Sequence, residues 1–533
     1  MRILISDDLS AEAKAILERI PGAQVDVRVG LKPQELREII GGYEALAVRS
    51  ATKVTKEILE AAQKLRVIGR AGTGVDNIDL AAASRRGVVV MNAPGGNSVS
   101  VAEHTVALLL SLARQIADAS QSTRMGKWEK KKFSSGREVL GKTLGVIGTG
   151  SIGALVVRRA QAFGMKVLGY DPFLAAEAAA KLGIELVDLP EIWKRCDAIT
   201  LHVPLTEQTR NMVGKEQLAQ MKPGALIVNC ARGGLVDEKA LADALRAGKV
   251  GGAALDVFET EPPPADHPLF SCPNFIGTPH LGGSTEDAQQ NVATIVCDAM
   301  VDYLTTGTVR NAVNVPSVSG EVLERLGPFL RLGEKLGALS AQLALEGETS
   351  AAPEQIEIAY AGEVAQQPTA PLTAAVLKGV LGTFLAEPVN EVSAPALAKE
   401  RGLSVTQVKR NETPDFASLM TVRLACKPGV TEVSGTIIGK REPRIVRVNE
   451  FEVEAAPQGT MLVMVNYDKP GVIGNVGRTL GEAQVNIAQF ALARDAQSGR
   501  ALALVNVDTA AGSDTLEKLR RLPHVLRVQQ VVL

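Results

Sequence analysis

The sequence predicts a multidomain protein. Its N-terminal part is α/β, with parallel sheets wound by helices on both faces, and its C-terminal part is α+β. Three patterns carry this reading. Residues 1–95 alternate short β-branched runs with helical stretches. Residues 143–171 place a glycine-rich turn between a strand and a helix, and end a second strand on an acidic residue. Residues 458–533 read strand, helix, strand, strand, helix, strand. Strands alternating with helices imply parallel pairing through right-handed crossovers.

The first strand candidates are RILIS (2–6), QVDVRV (24–29), ALAVRS (45–50), RVIGRA (66–71) and VVVMNA (88–93), with AEAKAILERI (11–20) helical. After the loop PGGNSVS (94–100), a long helix is predicted over about 101–120. Ser100 and Glu103 read as its capping box, and Val101, Leu108, Leu112 and Ile116 fall near one face. It bridges to a second unit with strands TLGVIG (143–148), KVLGYD (166–171), AITLHV (198–203), ALIVNC (225–230), AALDVF (253–258) and FIGTP (275–279). A helix near 284–305 leads back, so the first domain is discontinuous, 1–97 with 283–317, around a domain at 98–282. NVPSVSG (314–320) reads as a linker. Residues 318–452 alternate Ala-rich helices (330–345, 370–386) with strands (354–360, 418–426) and carry no chemical motif. The last unit, 458–533, has strands at 460–466, 486–494, 501–508 and 525–533, the βαββαβ order of a ferredoxin-like fold.

Composition narrows the function classes. The 58 basic and 59 acidic residues nearly cancel, so no nucleic-acid partner is expected. Five cysteines, Cys196, Cys230, Cys272, Cys297 and Cys426, are odd in number and contain no CxxC pair. That argues against a disulfide framework or a metal site and fits a reducing, cytoplasmic compartment. The N-terminus shows no basic leader followed by an apolar core, so no signal peptide is read. The apolar stretch from Val101 to Ala113 is too short for a bilayer, and no membrane partner is expected.

The stretch TLGVIGTGSIGALVVRRAQAFGMKVLGYDP carries the sharpest chemistry. Gly148, Gly150 and Gly153 form G-x-G-x-x-G between strand and helix, and a second strand ends at Asp171. Gly148 permits the tight turn, Gly150 lets a pyrophosphate approach the backbone, and Gly153 allows close helix-to-strand packing. The helix start offers free N–H groups and the positive end of a dipole. Asp171 accepts hydrogen bonds from both ribose hydroxyls and repels a 2′-phosphate, which favours NAD over NADP. The architecture is then a Rossmann-type, doubly wound cofactor domain inserted in a flavodoxin-like substrate domain, followed by an α+β intervening domain and a ferredoxin-like unit.

Hydride transfer from an alcohol carbon needs a base for the hydroxyl proton and a cation for a carboxylate and the carbon-bound oxygen. The chain has five histidines. His104 falls inside the bridging helix, His202 ends a strand and can line the cleft, His267 sits in a loop read as exposed, and His524 is in the last unit. His280 follows FIGTP at a strand's carboxyl end, where open α/β sheets bind ligands, so it is either the base or a structural histidine. Glu261 in DVFETEPP is a carboxylate partner that can tune an imidazole. Arg232 in NCARGGLVDE offers a planar fork for a carboxylate. Singly, each reads as well as a surface charge; together they mark three strand ends.

NCARGGLVDE, DVFETEP and TPHLGGST behind GTGSIG resemble the D-isomer-specific 2-hydroxyacid dehydrogenase family over residues 1 to about 315. The resemblance implies His280 as acid/base, Glu261 as its pair and Arg232 as the substrate-orienting cation. It also implies a cofactor site lined by Thr73, Ser151, Ile152, Val203, Pro204, Cys230, Ala231, Asp256, Gly282 and Gly283. VNYDKPGVIGNVGRTLGEAQVNIAQF resembles an ACT domain, whose effector positions carry over onto Asp468 and Asn486. Residues 318–452 are similar to the intervening domain of long-form D-3-phosphoglycerate dehydrogenases, and GRAGTGVDNID and MNAPGGNSVSVAEHT resemble signatures of that group.

The resemblance implies 3-phosphoglycerate as substrate, with Arg49 and Ser50 at its phosphate end and Gly72, Gly74 and Asn97 around it. It makes L-serine a candidate effector and a homotetramer the expected assembly. KWEKKKF (127–133) reads as a solvated face, which the resemblance places in a dimer contact lending a cation. Two other readings remain open here: another D-2-hydroxyacid dehydrogenase, such as a glyoxylate/hydroxypyruvate reductase, or an NAD-sensing interaction protein on the same fold.

Overall fold

A computed structural model describes residues 1–316, 320–345, 353–385, 388–413, 415–426, 429–439, 441–495 and 497–533. The linker read at 314–320 lies partly outside them.

In the first domain β1 (Arg2–Ile5), β2 (Gln24–Val27), β3 (Ala45–Val48), β4 (Val67–Arg70) and β5 (Val89–Met91) form a parallel sheet in the order β2-β1-β3-β4-β5. This is the flavodoxin-like order the sequence predicts. The helix Glu286–Thr306 returns to this domain and buries Val292, Val296 and Met300 against Ile3, Ile5, Ala47 and Val67.

The second sheet contains β6 (Thr143–Ile147), β7 (Lys166–Tyr170), β8 (Glu185–Leu186), β9 (Ala198–Leu201), β10 (Ala225–Asn229), β11 (Val250–Leu255) and β12 (Phe275–Gly277). All pair in parallel, in the order β12-β11-β10-β9-β6-β7-β8. The strand order reverses between β6 and β9, and the crevice at their carboxyl ends is where such sheets bind ligands. β11 lies three residues earlier than the predicted 253–258, so Asp256 falls just past the strand.

The bridging helix differs from its prediction in two ways. It runs Ser98–Arg114, with Asn97 at its N-cap, and a second helix covers Ile116–Arg124. The break is Gln115, whose left-handed φ of 53° ends the first helix. Ile116 therefore leaves the buried face and is exposed. The Ser100–Glu103 capping box does not form. Ser100 lies inside the first turn and donates its hydroxyl to the Gly282 carbonyl at 2.6 Å, while Glu103 pairs with Arg159 at 2.9 Å. Each side chain is engaged by a tertiary partner and not by a local cap.

Beyond residue 320 the helices Gly320–Ala344 and Thr369–Phe384 pack on a six-stranded sheet. Its order is Ser404–Arg410, Gln355–Gly362, Ser418–Cys426, Gly429–Ile438, Glu442–Val448, Phe451–Ala455. In the last unit the sheet order is Ile487–Asp495, Arg500–Val507, Thr460–Tyr467, Val525–Val532, all antiparallel. One face is covered by its own helices. The other buries Met461, Val463, Leu504 and Val531 in one core with Leu343, Val453 and Ala455. The intervening unit also touches the first domain: Val392 enters that domain's core, the Asn390 amide donates to the Gly87 carbonyl at 3.0 Å, and Arg85 pairs with Glu400. No described helix is long and apolar enough to cross a membrane.

Candidate active site

The glycine turn after β6 meets all three demands placed on it. Gly148 has φ 89°, and a Cβ there would lie 2.5 Å from the His202 carbonyl oxygen. A Cβ on Gly153 would sit 2.0 Å from the Gly148 carbonyl oxygen, so the helix packs tightly on the turn. A Cβ on Gly150 would meet nothing within 4 Å. That open space lies over the start of the helix Ser151–Ala162, where the N–H groups of the first turn, including Ser151 and Ile152, lack helical partners. Val203 and Pro204 follow β9 on the other side of Gly148.

Asp171 closes the far end of this cradle. One carboxylate oxygen accepts the Thr149 N–H at 2.9 Å and its hydroxyl at 3.0 Å. The other accepts the Phe173 N–H at 3.0 Å. Burial pulls this carboxyl upward, but the three donors outweigh it and hold the group below the usual carboxylate range. A fixed anion at this place suits the ribose of NAD and repels a 2′-phosphate. The open space at Gly150 and the anion at Asp171 together fit NAD.

Three strand ends bring the predicted catalytic residues together. After β10, the Asn229 side chain accepts the Ala231 N–H at 3.0 Å and donates to the Arg232 carbonyl at 2.8 Å, which fixes the turn. Arg232 reaches across the domain cleft: its Nε donates to Asp76 at 3.1 Å, and a Cβ on Gly74 would lie 2.0 Å from its Nη2. After β11, Asp256 is 1% exposed and accepts from Thr278 Oγ1 at 2.6 Å, Leu281 N–H at 2.7 Å and Gly282 N–H at 2.8 Å. His104 lies beside it at 3.3 Å. The buried carboxylate thus organises the turn on which His280 sits, with φ 55°.

His280 Nδ1 lies 2.8 Å from Glu261 Oε2, and Glu261 Oε1 accepts the Phe258 N–H at 3.1 Å. Burial raises the Glu261 carboxyl, but His280 and the Phe258 N–H overcome this and leave it lowered. The hydrogen bond to Glu261 in turn raises His280 above the usual imidazole range, against the opposing effect of burial. An ionised Glu261 only accepts, so Nδ1 donates and Nε2 is the nitrogen left for substrate. Behind the pair is a cavity of about 500 Å³ walled by Phe258, Pro262, Phe270 and Phe275.

The remaining positions fall on the same cleft. The Thr73 hydroxyl donates to Asn97 at 2.8 Å, and the Asn92 amide donates to the Thr73 carbonyl at 2.6 Å. Gly283 packs against Asn97. Arg49 and the exposed Ser50 follow β3, and Gly72 follows β4. Cys230 is buried with its thiol pushed up to about 12, so it is chemically inert and only its backbone can line the cleft. His202 sits beside the glycine turn; burial drives its pKa down to about 4, so the ring is neutral. Its Nδ1 has no hydrogen-bond partner among the described residues.

Sequence reasoning missed several supporting groups. Asp7, 4% exposed, accepts the Arg49 N–H at 2.6 Å and the Thr52 hydroxyl at 2.6 Å. The Asn77 amide donates to the Arg49 carbonyl at 2.8 Å. His267, read from its loop as exposed, is 9% exposed. It lies 2.8 Å from Glu238 and packs edge-on against Phe258, and Glu238 also accepts the Glu259 N–H at 2.7 Å. This clamp holds the segment carrying Glu261. Asp7 stands two residues past the end of β1, so its place near a carboxyl strand end was a usable signal; the Glu238–His267 pairing, 29 residues apart, had none.

In the last unit Asp468 pairs with Arg494 at 2.6 Å and Asn486 with Asp508 at 2.7 Å. The strand register puts Tyr467 opposite Arg500 and Thr460 opposite Val507. Asp468 and Asn486 therefore stand at opposite ends of the sheet, and one copy of the unit does not bring them together.

Three family patterns match the chain. The D-isomer specific 2-hydroxyacid dehydrogenase, NAD binding domain, matches residues 106–282. The D-3-phosphoglycerate dehydrogenase intervening domain matches 325–449, and the ACT domain matches 460–524. The chain is 44% identical over 526 residues to a D-3-phosphoglycerate dehydrogenase of Methanocaldococcus jannaschii, covering 98% of each chain. It is 42% identical over 535 residues to one of Archaeoglobus fulgidus, covering 100% of each. Among solved structures, an NAD-dependent formate dehydrogenase of Staphylococcus aureus in complex with NAD is 31% identical with a TM-score of 0.54, covering 60% of this chain and 100% of that one. A glyoxylate reductase of Paecilomyes thermophila is 29% identical with a TM-score of 0.54, covering 59% of this chain and 98% of that one. The reductase likeness thus stops short of the C-terminal units, whereas the phosphoglycerate dehydrogenases match them too.

Proposed function

The chain belongs to the D-3-phosphoglycerate dehydrogenase family, and from that premise we propose how its residues perform the reaction. The reaction is NAD-dependent oxidation of 3-phospho-D-glycerate to 3-phosphohydroxypyruvate, the first step of L-serine biosynthesis. The observation that carries the site assignment is the 2.8 Å contact between His280 Nδ1 and Glu261, which leaves Nε2 as the reacting nitrogen.

The Arg232 fork binds the substrate carboxylate and polarises the C2 oxygen. Neutral His280 takes the C2 hydroxyl proton on Nε2, and Glu261 stabilises the imidazolium that forms. The turn at Gly148, Gly150 and Gly153 together with Asp171 would hold NAD, which would supply the hydride acceptor when bound. Thr73 and Asn97 hold the loop between the domains, and Asp256 keeps the 278–282 turn rigid through its four contacts. Arg49, whose backbone is fixed by Asp7 and Asn77, and Ser50 receive the phosphate end.

Asp468 and Asn486 belong to an effector site for L-serine completed by a second ACT unit, and the enzyme acts as a cytoplasmic homotetramer. The separation of those two residues within one chain supports a shared site. The test is NAD reduction with 3-phosphoglycerate, D-glycerate and D-lactate, each repeated with L-serine, together with the solution mass. Turnover of the phosphorylated acid at least 100-fold above the other two in kcat/KM is expected. Equal turnover of all three overturns the substrate-site assignment.

A further inference from the structure

Arg70 is the last residue of β4, at the carboxyl end of the first sheet and next to Arg49 at the end of β3. Its guanidinium lies against Gly72: a Cβ on that glycine would fall 1.6 Å from Arg70 Nη1, so only glycine leaves room for the side chain here. The group is largely buried, and its Nε has no hydrogen-bond partner among the described residues. Burial, the Arg232 charge and the Arg49 charge press its pKa down to about 10, while the nearby Asp76 and Asp7 act in the opposite direction.

Neither of those carboxylates is free to neutralise it. Asp76 is spent on Arg232, and Asp7 is spent on the Arg49 and Thr52 backbone N–H groups and the Thr52 hydroxyl. Three arginines, Arg49, Arg70 and Arg232, therefore face one cleft with a single carboxylate paired to one of them. A buried, unpaired cation is destabilising on its own. Such a cluster is retained where an anion arrives to complete it, and the two cations left over, Arg49 and Arg70, match one dianionic group.

We propose that Arg70 is a substrate-binding residue that takes the phosphate of the 2-hydroxy acid together with Arg49, and that it sets the preference for phosphorylated over unphosphorylated substrates. This rests on the reading of the cleft given above. Arg232 holds the carboxylate at the reacting end, and the guanidinium of Arg70 grips the phosphate from the floor of the cleft, beneath the loop of Gly72 and Gly74.

The test uses the full-length enzyme with Arg70→Met and Arg70→Lys. Met keeps the length of the buried stem without the charge, and Lys keeps the charge without the fork. For Arg70→Met, kcat/KM for 3-phosphoglycerate should fall at least 100-fold, carried mostly by KM. For D-glycerate it should change less than 3-fold, and NADH affinity should stay as in the wild type. Arg70→Lys should recover part of the loss. Inorganic phosphate should raise the melting temperature of the wild type and not that of Arg70→Met, which should itself melt no lower than the wild type.

Equal losses for both substrates, or a destabilised Arg70→Met that still responds to phosphate, would make Arg70 a structural residue and overturn the proposal. A wild type that does not prefer 3-phosphoglycerate over D-glycerate would instead refute the underlying substrate reading, whichever way the variants behave.

Discussion

Glu261 Oε2 lies 2.8 Å from His280 Nδ1, and this contact leaves Nε2 as the ring nitrogen not held by the carboxylate. The carboxylate stands on the segment after β11, and the histidine on the turn after β12. Asp256 joins the two by accepting from the backbone of 281 and 282, while its own carbonyl accepts the His280 N–H at 2.9 Å. A residue on a left-handed backbone turn stays where such contacts over-determine it.

Replacing His280 by Ala removes the proposed base without touching the glycine cradle. Turnover should fall by about 10³-fold or more, within reach of the contribution of a positioned acid/base. NADH affinity, read by fluorescence titration, should stay within a few fold. Loss of NADH binding would show that the ring belongs to the cofactor site and not to the proton transfer.

Arg232→Lys keeps the charge and loses the fork. Loss of a bidentate carboxylate contact is worth about 2–4 kcal/mol, or roughly 30- to 10³-fold in kcat/KM. The conservative variant should therefore behave almost like Arg232→Ala in steady-state assays. A lysine enzyme with near wild-type kcat/KM would contradict the assignment.

Asp171→Ala should relax coenzyme choice. The carboxylate that would repel a 2′-phosphate is gone, so the ratio of kcat/KM for NAD over NADP should drop by on the order of 10-fold or more. The Thr149 N–H and hydroxyl it now occupies become free donors for that phosphate. An unchanged ratio would place the ribose elsewhere.

Truncation reads the packing of the C-terminal units. A chain ending at 457 strips Met461, Val463, Leu504 and Val531 from the core they share with Leu343 and Val453. Exposing each such side chain costs about 1.5–3 kcal/mol, so this form should aggregate or melt earlier than the full chain. A chain ending at 316 removes both units and loses only the Val392, Asn390 and Glu400 contacts, so it should stay soluble and bind NADH. Light scattering and NADH titration check both; a soluble, stable 1–457 chain would mean the shared face is not held by hydrophobic burial.

Much of this was legible in the sequence because the signals were local. The turn at 148–153 and the acidic end at 171 lie within one strand–helix–strand unit, and alternating apolar runs located both parallel sheets. The reading failed where tertiary contacts overrode local pattern. Ser100 and Glu103 have cap spacing, yet Gly282 and Arg159 claim their side chains. Gln115 gives no helix-breaking signal, yet it adopts the left-handed turn that ends the helix. His267 sits among prolines and an aspartate and looks exposed, but Phe258, Phe270 and Glu238 bury it. The strands Ser404–Arg410 and Glu442–Val448 are partly polar and exposed, so no alternation marked them.

The most direct measurement of the central claim is the pH dependence of kcat/KM for 3-phosphoglycerate oxidation, in the wild type and in Glu261→Gln. In the proposed reaction oxidation needs neutral His280, so activity should rise with pH through the imidazole pKa, which the hydrogen bond to Glu261 holds above its ordinary value. Removing the carboxylate takes away that support, and the acid limb should move to lower pH while the plateau falls. An acid limb at the same pH in both enzymes would mean that His280 is not the group whose proton controls the reaction.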